Sequence, residues 1–137
     1  MRMNKKPKDA MKTGLSAEAI VLEKLISLGI KARPAKGHSP FDIELLDGRK
    51  IEVKTRVSTC ETTADGRPLW RFIIRRPKQE LDRADFFILM IKDDFFVIPT
   101  VYLSTSSSLA IPWPAGHMKR SKWATFHNRF DLLKKEK

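Results

Sequence analysis

Pro40-Phe41-Asp42-Ile43-Glu44-Leu45-Leu46-Asp47-Gly48-Arg49-Lys50-Ile51-Glu52-Val53-Lys54 is the stretch whose reading decides the fold. An Asp-Gly turn at Asp47-Gly48 divides two runs that mix apolar and charged residues, as the strands of a half-buried pair do. Side chains alternate along a strand, so Glu52 and Lys54 project from one face and Ile51 and Val53 from the other. If Asp47 and Gly48 alone formed a two-residue loop, Leu46 would pair with Arg49 and Ile43 would face Glu52. Asp42 would then point to the opposite side, because a slip of one residue flips every side chain. A three-residue loop, Leu46-Asp47-Gly48, with Gly48 left-handed in a G1 bulge, pairs Leu45 with Arg49 instead. In that register Asp42 stands opposite Glu52 and Glu44 opposite Lys50, while Phe41, Ile43, Ile51 and Val53 share the other face. Only this second register sorts apolar from charged residues, and the sequence therefore predicts it.

Two carboxylates and an ammonium on one sheet face are costly to bury unless they pair or bind something. Asp42 and Glu52 on adjacent strands offer the oxygen ligands that a hard cation such as Mg²⁺ takes, with room left for waters and a substrate phosphate. The Val53 carbonyl is a further oxygen in reach. Lys54 over the same face can orient an attacking water or offset charge that develops on phosphorus. Glu44 shares the acidic face, but with Lys50 opposite it an ordinary salt bridge is the expectation.

The neighbouring segments frame this hairpin. Ser16 is a plausible N-cap for a helix over Ala17–Leu28 that ends at Gly29. Ala17, Val21, Leu22, Leu25 and Leu28 form its apolar stripe, with Glu18 inside the stripe and Glu23 outside it. An acid on an inward face needs a partner, so Glu18 joins the candidate set as an outer ligand. A first-turn acid favoured by the helix dipole is the competing reading. Strands are expected at residues 30–34, 41–46, 49–57, 70–74, 84–91 and 95–98. Residues 58–68 read as a polar loop, Pro77–Arg83 as a short helical turn and residues 101–107 as a small helix. Trp70, Phe72, Phe86 and Phe87 read as core rather than base-stacking platforms. Residues 123–135 show no decisive pattern.

At 137 residues the chain suits one domain, over residues 13–137 with a basic C-terminal extension, preceded by a basic and flexible segment over residues 1–12. The formal net charge of +11 gathers at the ends. Residues 1–12 carry +4 and residues 117–137 carry +5. Such a surplus favours phosphate backbones through counterion release, although a solubilising tail would look the same. Cys60 is the single cysteine, which excludes an internal disulfide and a cysteine-rich zinc site. No apolar run approaches a membrane span, so a reducing cytoplasm is the expected location.

The segment Gly14-Leu15-Ser16-Ala17-Glu18, then Asp42, then Glu52-Val53-Lys54, resembles the PD-(D/E)xK nuclease superfamily. That group includes restriction enzymes, Holliday junction resolvases and a branch of homing endonucleases. The resemblance implies an α/β fold of the restriction-endonuclease type, a central mixed β-sheet flanked by helices in the order α-β-β-β-α-β, over about two-thirds of the chain. It implies Glu18, Asp42, Glu52 and Lys54 as catalytic residues, with Asp42, Glu52 and Glu18 holding Mg²⁺ and Mn²⁺ as a substitute. The implied activity is cleavage of double-stranded or branched DNA by a homodimer or higher homo-oligomer. A DNA-binding module without cleavage is the alternative on the same fold. His38, Arg56, Arg71, Lys119, Arg120 and Lys122 are candidate DNA contacts, each with a solvated surface position as the plain alternative.

Overall fold

The computed structural model describes residues 14–36, 41–56, 61–74, 84–103, 108–113 and 122–134. The helical turn expected at Pro77–Arg83 lies outside them. One helix, α1 (Gly14–Ser27), begins two residues before Ser16, which therefore sits in the first turn rather than at the cap. Its other end closes as a Schellman motif. Gly29 takes a φ of +81°, its N–H donates to the Ile26 carbonyl at 3.0 Å, and the Ile30 N–H reaches the Leu25 carbonyl at 2.9 Å. Ile30 and Leu25 are both buried in one cluster, the apolar contact that accompanies this cap.

Eight strands follow: β1 (Ala32–Pro34), β2 (Ile43–Leu45), β3 (Lys50–Arg56), β4 (Glu61–Thr62), β5 (Pro68–Ile73), β6 (Phe86–Ile91), β7 (Asp94–Pro99) and β8 (Ser108–Pro112). A mixed sheet runs in the order β1-β2-β3-β6-β7, and a second sheet in the order β4-β5-β8. The β3–β6 pair is parallel and the other pairs are antiparallel. The α/β class and the mixed central sheet agree with the expectation. A second sheet does not follow from it: β4 lies inside the stretch read as loop, and β8 was not anticipated. Both depend on long-range pairing with β5 rather than on local pattern.

The register of β2 against β3 is the bulged one. Ile43 pairs with Ile51 and Glu44 with Lys50. The Gly48 N–H donates to the Leu45 carbonyl at 2.9 Å, the Leu45 N–H to the Arg49 carbonyl at 2.7 Å, and Gly48 has a φ of +97°. The β4–β5 hairpin repeats this geometry: the Gly66 N–H donates to the Thr63 carbonyl at 3.0 Å, the Thr63 N–H to the Arg67 carbonyl at 2.8 Å, and Gly66 has a φ of +91°.

Two apolar clusters lie on the two faces of the central sheet. Ala17, Val21 and Leu25 of α1 pack on Ile43, Leu45, Ile51, Ile88, Met90 and Val97. On the other face Trp70 and Phe72 of β5 and Leu109 and Ile111 of β8 pack on Phe87, Leu89, Ile91, Phe96 and Ile98. Strand β6 is covered on both sides and is buried throughout, which its unbroken apolar run requires. The inward face of β5 holds Trp70 and Phe72, as their alternation indicates. Leu28, assigned to the α1 stripe, is instead exposed, because the helix has already ended.

Three 3₁₀ turns, Thr100–Leu103, Lys122–Phe126 and Phe130–Leu133, complete the described chain. The first stands where a small helix over 101–107 was expected, and residues 104–107 lie outside the described residues. The second lies along β7, and the third runs from Phe130, edge-on to Phe95, to Leu133, whose carbonyl accepts from Arg49 at 2.6 Å. His127 forms a bridge with Phe96, and the Asn128 N–H donates to the Phe95 carbonyl at 2.8 Å. Asp94 anchors this segment, accepting from Trp113 Nε1 at 3.0 Å and contacting His127 Nε2 at 2.9 Å. Among the described residues no helix is long and apolar enough to cross a membrane.

Candidate active site

Asp42 stands at the residue before β2, where the strand leaves its partner. Its backbone is fixed on both sides: its N–H donates to the Ile51 carbonyl at 2.9 Å and its carbonyl accepts from the Ala35 N–H at 3.0 Å. Its Oδ2 accepts from the Val53 N–H at 2.8 Å, so the carboxylate takes over a β3 backbone donor beyond the last β2 pair. A charge-assisted bond of this kind holds a side chain in one place.

Glu18 comes to Asp42 from the first turns of α1. It follows the buried Ala17 and is itself half-buried at the rim of the helix–sheet contact. Its carboxyl is pushed up to about 7, first by burial and then by a side-chain hydrogen bond and the negative charge of Asp42. Two carboxyl groups this close cannot both ionise freely without a compensating positive charge.

Glu52 and Lys54 project from the face of β3 opposite to Ile51 and Val53. Lys54 Nζ lies 3.1 Å from a Glu52 carboxylate oxygen, and the side chains remain 30% and 22% exposed. They lie beside Leu89 and Phe87 of β6, which the second sheet covers. The charges thus sit at the border of the apolar cover, partly desolvated but open to a ligand. Farther along the same face, Arg56 donates to the Arg71 carbonyl at 3.0 Å, and Arg71 is clamped by Glu61 through two bonds of 2.9 Å. The Arg71 guanidinium beside Glu61 holds that carboxyl below its usual range.

The structure therefore joins Glu18 to Asp42 and Glu52 to Lys54. Among the described residues no three His, Cys, Asp or Glu side chains form one metal-holding group. The β2–β3 pairing ends at Ile43–Ile51, and beyond it the Asp42 carboxylate turns to Val53 and Glu18 while Glu52 turns to Lys54. The donor chemistry of the Glu18–Asp42 pair still fits a hard divalent cation, whose charge would favour the ionised form of Glu18 that burial and Asp42 disfavour. Glu44 departs from its expected partner: it bridges Arg33 of β1 at 3.3 Å, while Lys50 Nζ lies over the Phe41 ring. Arginine from the edge strand reaches Glu44 across the paired register Arg33–Glu44.

Lys122 sits at the start of a 3₁₀ turn with its ammonium 4.8 Å from the Trp123 ring centre. His38, Lys119 and Arg120 lie outside the described residues. The sequence reading missed Glu61, which fixes Arg71. The signal that could have found it is Asp65-Gly66-Arg67, the same triplet as Asp47-Gly48-Arg49, which closes the β4–β5 hairpin and sets Glu61 two strand positions from its loop.

No family model and no curated protein matches the sequence. Among solved structures the chain is similar to a bacterial homing endonuclease, I-Ssp6803I, with a TM-score of 0.64 at 15% identity, over 88% of this chain and 89% of that one. At that identity the likeness concerns the fold, and the chain shares its fold with a homing endonuclease.

Proposed function

We propose that this chain is a Mg²⁺-dependent DNA endonuclease whose site consists of Glu18, Asp42, Glu52 and Lys54. The observation that carries the reading is the Glu18–Asp42 carboxyl pair, with Glu18 pushed up to about 7, beside the Glu52–Lys54 pair on a shared nuclease fold. The basic balance of +11 supports a polyphosphate partner.

Glu18 and Asp42 would hold the cation, with Glu52 the third carboxylate of the set. The chemistry that a bound Mg²⁺ supplies is Lewis-acid polarisation of the scissile phosphate and acidification of water. Asp42 is pre-positioned by the Val53 N–H, so it need not reorganise when DNA arrives. Glu18 gives up its proton as it gains a positive neighbour. Lys54, steadied by Glu52, offsets negative charge on the phosphate as it becomes five-coordinate, and can orient the attacking water. Arg56, next after Lys54 on that face of β3, would extend the positive charge from this site, while Arg71 behind it is answered by Glu61. One such site cuts one strand, so a double-strand break or a symmetric junction cut requires two copies.

The test is incubation with supercoiled plasmid and with a synthetic four-way junction, with and without Mg²⁺, alongside Lys54→Ala and Glu52→Gln. Mg²⁺-dependent nicking is expected, with Lys54→Ala slower by about 10²–10³-fold. DNA binding without cleavage on either substrate would overturn the enzyme and leave a binding module. Cleavage that survives both substitutions would remove these residues from the site.

A further inference from the structure

A second ligand site stands apart from the four residues above. A cavity of about 460 Å³ opens beside the end of β7, lined by Pro99, Tyr102, Lys122, Trp123, Phe126 and Arg129 among others. Its size falls in the range of about 300–1,000 Å³ that suits small organic ligands. Three aromatic rings stand in sequence there. Tyr102 and Phe126 have ring centres 5.3 Å apart, and Phe126 and Trp123 6.2 Å apart. Trp123 is buried and closes the floor, whereas Tyr102, the single tyrosine of the chain, is 61% exposed. An aromatic ring left that open contributes little to the core and has a face available for stacking.

Positive charge lines the rim. Lys122 is exposed, with its ammonium 4.8 Å from the Trp123 ring centre. Arg129 is held in plane by two bonds to Asp131, at 2.8 and 3.0 Å. Aromatic walls with the exposed Lys122 ammonium at the mouth suit a planar aromatic ligand that carries an anionic group, whereas an apolar peptide would leave that ammonium unanswered.

We infer that this cavity takes one unpaired nucleobase of a DNA strand, stacked on Tyr102 with the tilted Phe126 ring against its edge and its phosphate at Lys122. Base stacking on aromatic rings combined with a basic track is how proteins hold unpaired nucleotides. The sheet register supports its place. Glu52, Phe87 and Ile98 lie abreast across β3, β6 and β7, and Pro99 adjoins Ile98. The cavity therefore adjoins a position about two strand spacings, roughly 10 Å, from Glu52. A single DNA molecule can span both. The inference rests on DNA being the partner.

Fluorescence anisotropy with the full chain tests it, using a duplex that carries one unpaired adenine, the same duplex fully paired, and free dAMP as competitor. The unpaired duplex is expected to bind about tenfold more tightly than the paired one. Tyr102→Ala should erase that preference while paired-duplex affinity holds, and Tyr102→Phe should restore it. Lys122→Ala should lower the salt slope by about one. Equal affinity for the two duplexes overturns the inference, as does a preference unchanged in Tyr102→Ala, or dAMP binding without any duplex preference. A change in sedimentation of Tyr102→Ala would assign the cavity to a protein contact instead. Binding to paired duplex without preference removes only this inference, whereas no DNA binding at all removes the proposed function as well.

Discussion

Leu45 to Arg49 and Thr63 to Arg67 close two hairpins by the same chemistry and serve different ends. Each has an Asp-Gly-Arg triplet, a glycine at positive φ, and an aspartate paired with the arginine two residues on. In the second, the Thr63 side chain adds bonds to Asp65 and to the Arg67 N–H. What differs is the flank. The first hairpin runs into Ile43, Leu45 and Ile51, which are buried against α1, and so its register is locked by burial. The second is buried on one strand only, through Trp70 and Phe72 of β5, while Glu61, Thr62 and Pro68 beside the turn are not buried. The locked hairpin carries Asp42 and Glu52. The looser one carries Arg71 and its clamp Glu61. Glu52 thus stands on a hairpin buried through both strands, and Arg71 on one buried through β5 alone.

Substitutions can break that contrast. The largest effect is expected beneath the first hairpin: Ile51→Ala should lower unfolding free energy by about 2–5 kcal/mol, because the site is fully buried. The exposed Thr62→Ala in the second should stay within about 0.5 kcal/mol. Urea titrations with equal losses would refute the difference in burial. Next come Gly48→Ala and Gly66→Ala. Neither new methyl meets an atom within 4 Å, so each costs only the backbone strain at positive φ, about 1–2 kcal/mol. Thermal melts should shift alike, yet DNA cleavage should fall in Gly48→Ala alone. Parallel losses of cleavage would show that the first turn does not position the site.

The most pH-specific effect belongs to Glu18→Gln. The folded pKa of Glu18 is raised from 4.5 to about 7, so the folded state holds its proton more tightly than the unfolded chain does. That stabilisation is fully present below pH 4.5 and is lost as pH rises through 7, leaving an ionised, repelled carboxylate above it. In metal-free buffer Glu18→Gln should therefore melt higher than the parent at pH 8, with the gain shrinking toward pH 4.5. A constant difference in melting temperature across that range would exclude the Glu18–Asp42 repulsion as its cause.

The first hairpin was legible because three local signals agree: the Asp-Gly turn, the alternation, and the sorting of Ile43 and Ile51 from Glu44 and Glu52. Gly29 as the helix stop was legible for the same reason, since only glycine adopts its φ without strain. The second sheet was not. Glu61-Thr62 has no apolar pattern, and β8 becomes a strand only by pairing with β5, at a sequence separation that no local window spans. Within the site, sequence placed Glu18 toward the sheet, where it meets Asp42. It did not reveal that Asp42 would turn to the Val53 N–H, because that depends on β2 ending at Ile43.

The segment from Lys122 to Asn128 that lies along β7 has a consequence for assembly. Its bridge at Phe96–His127 and the Asn128 bond occupy backbone groups that an outer strand would otherwise offer to a neighbouring molecule. The opposite border, β1, is three residues long and ends in Pro34, which has no N–H to give. Both borders of the central sheet are thus blunted against strand addition. Copies of this chain that come together on one duplex would meet through side chains and loops, leaving each sheet separate and each pair of carboxyl groups free to face its own phosphate.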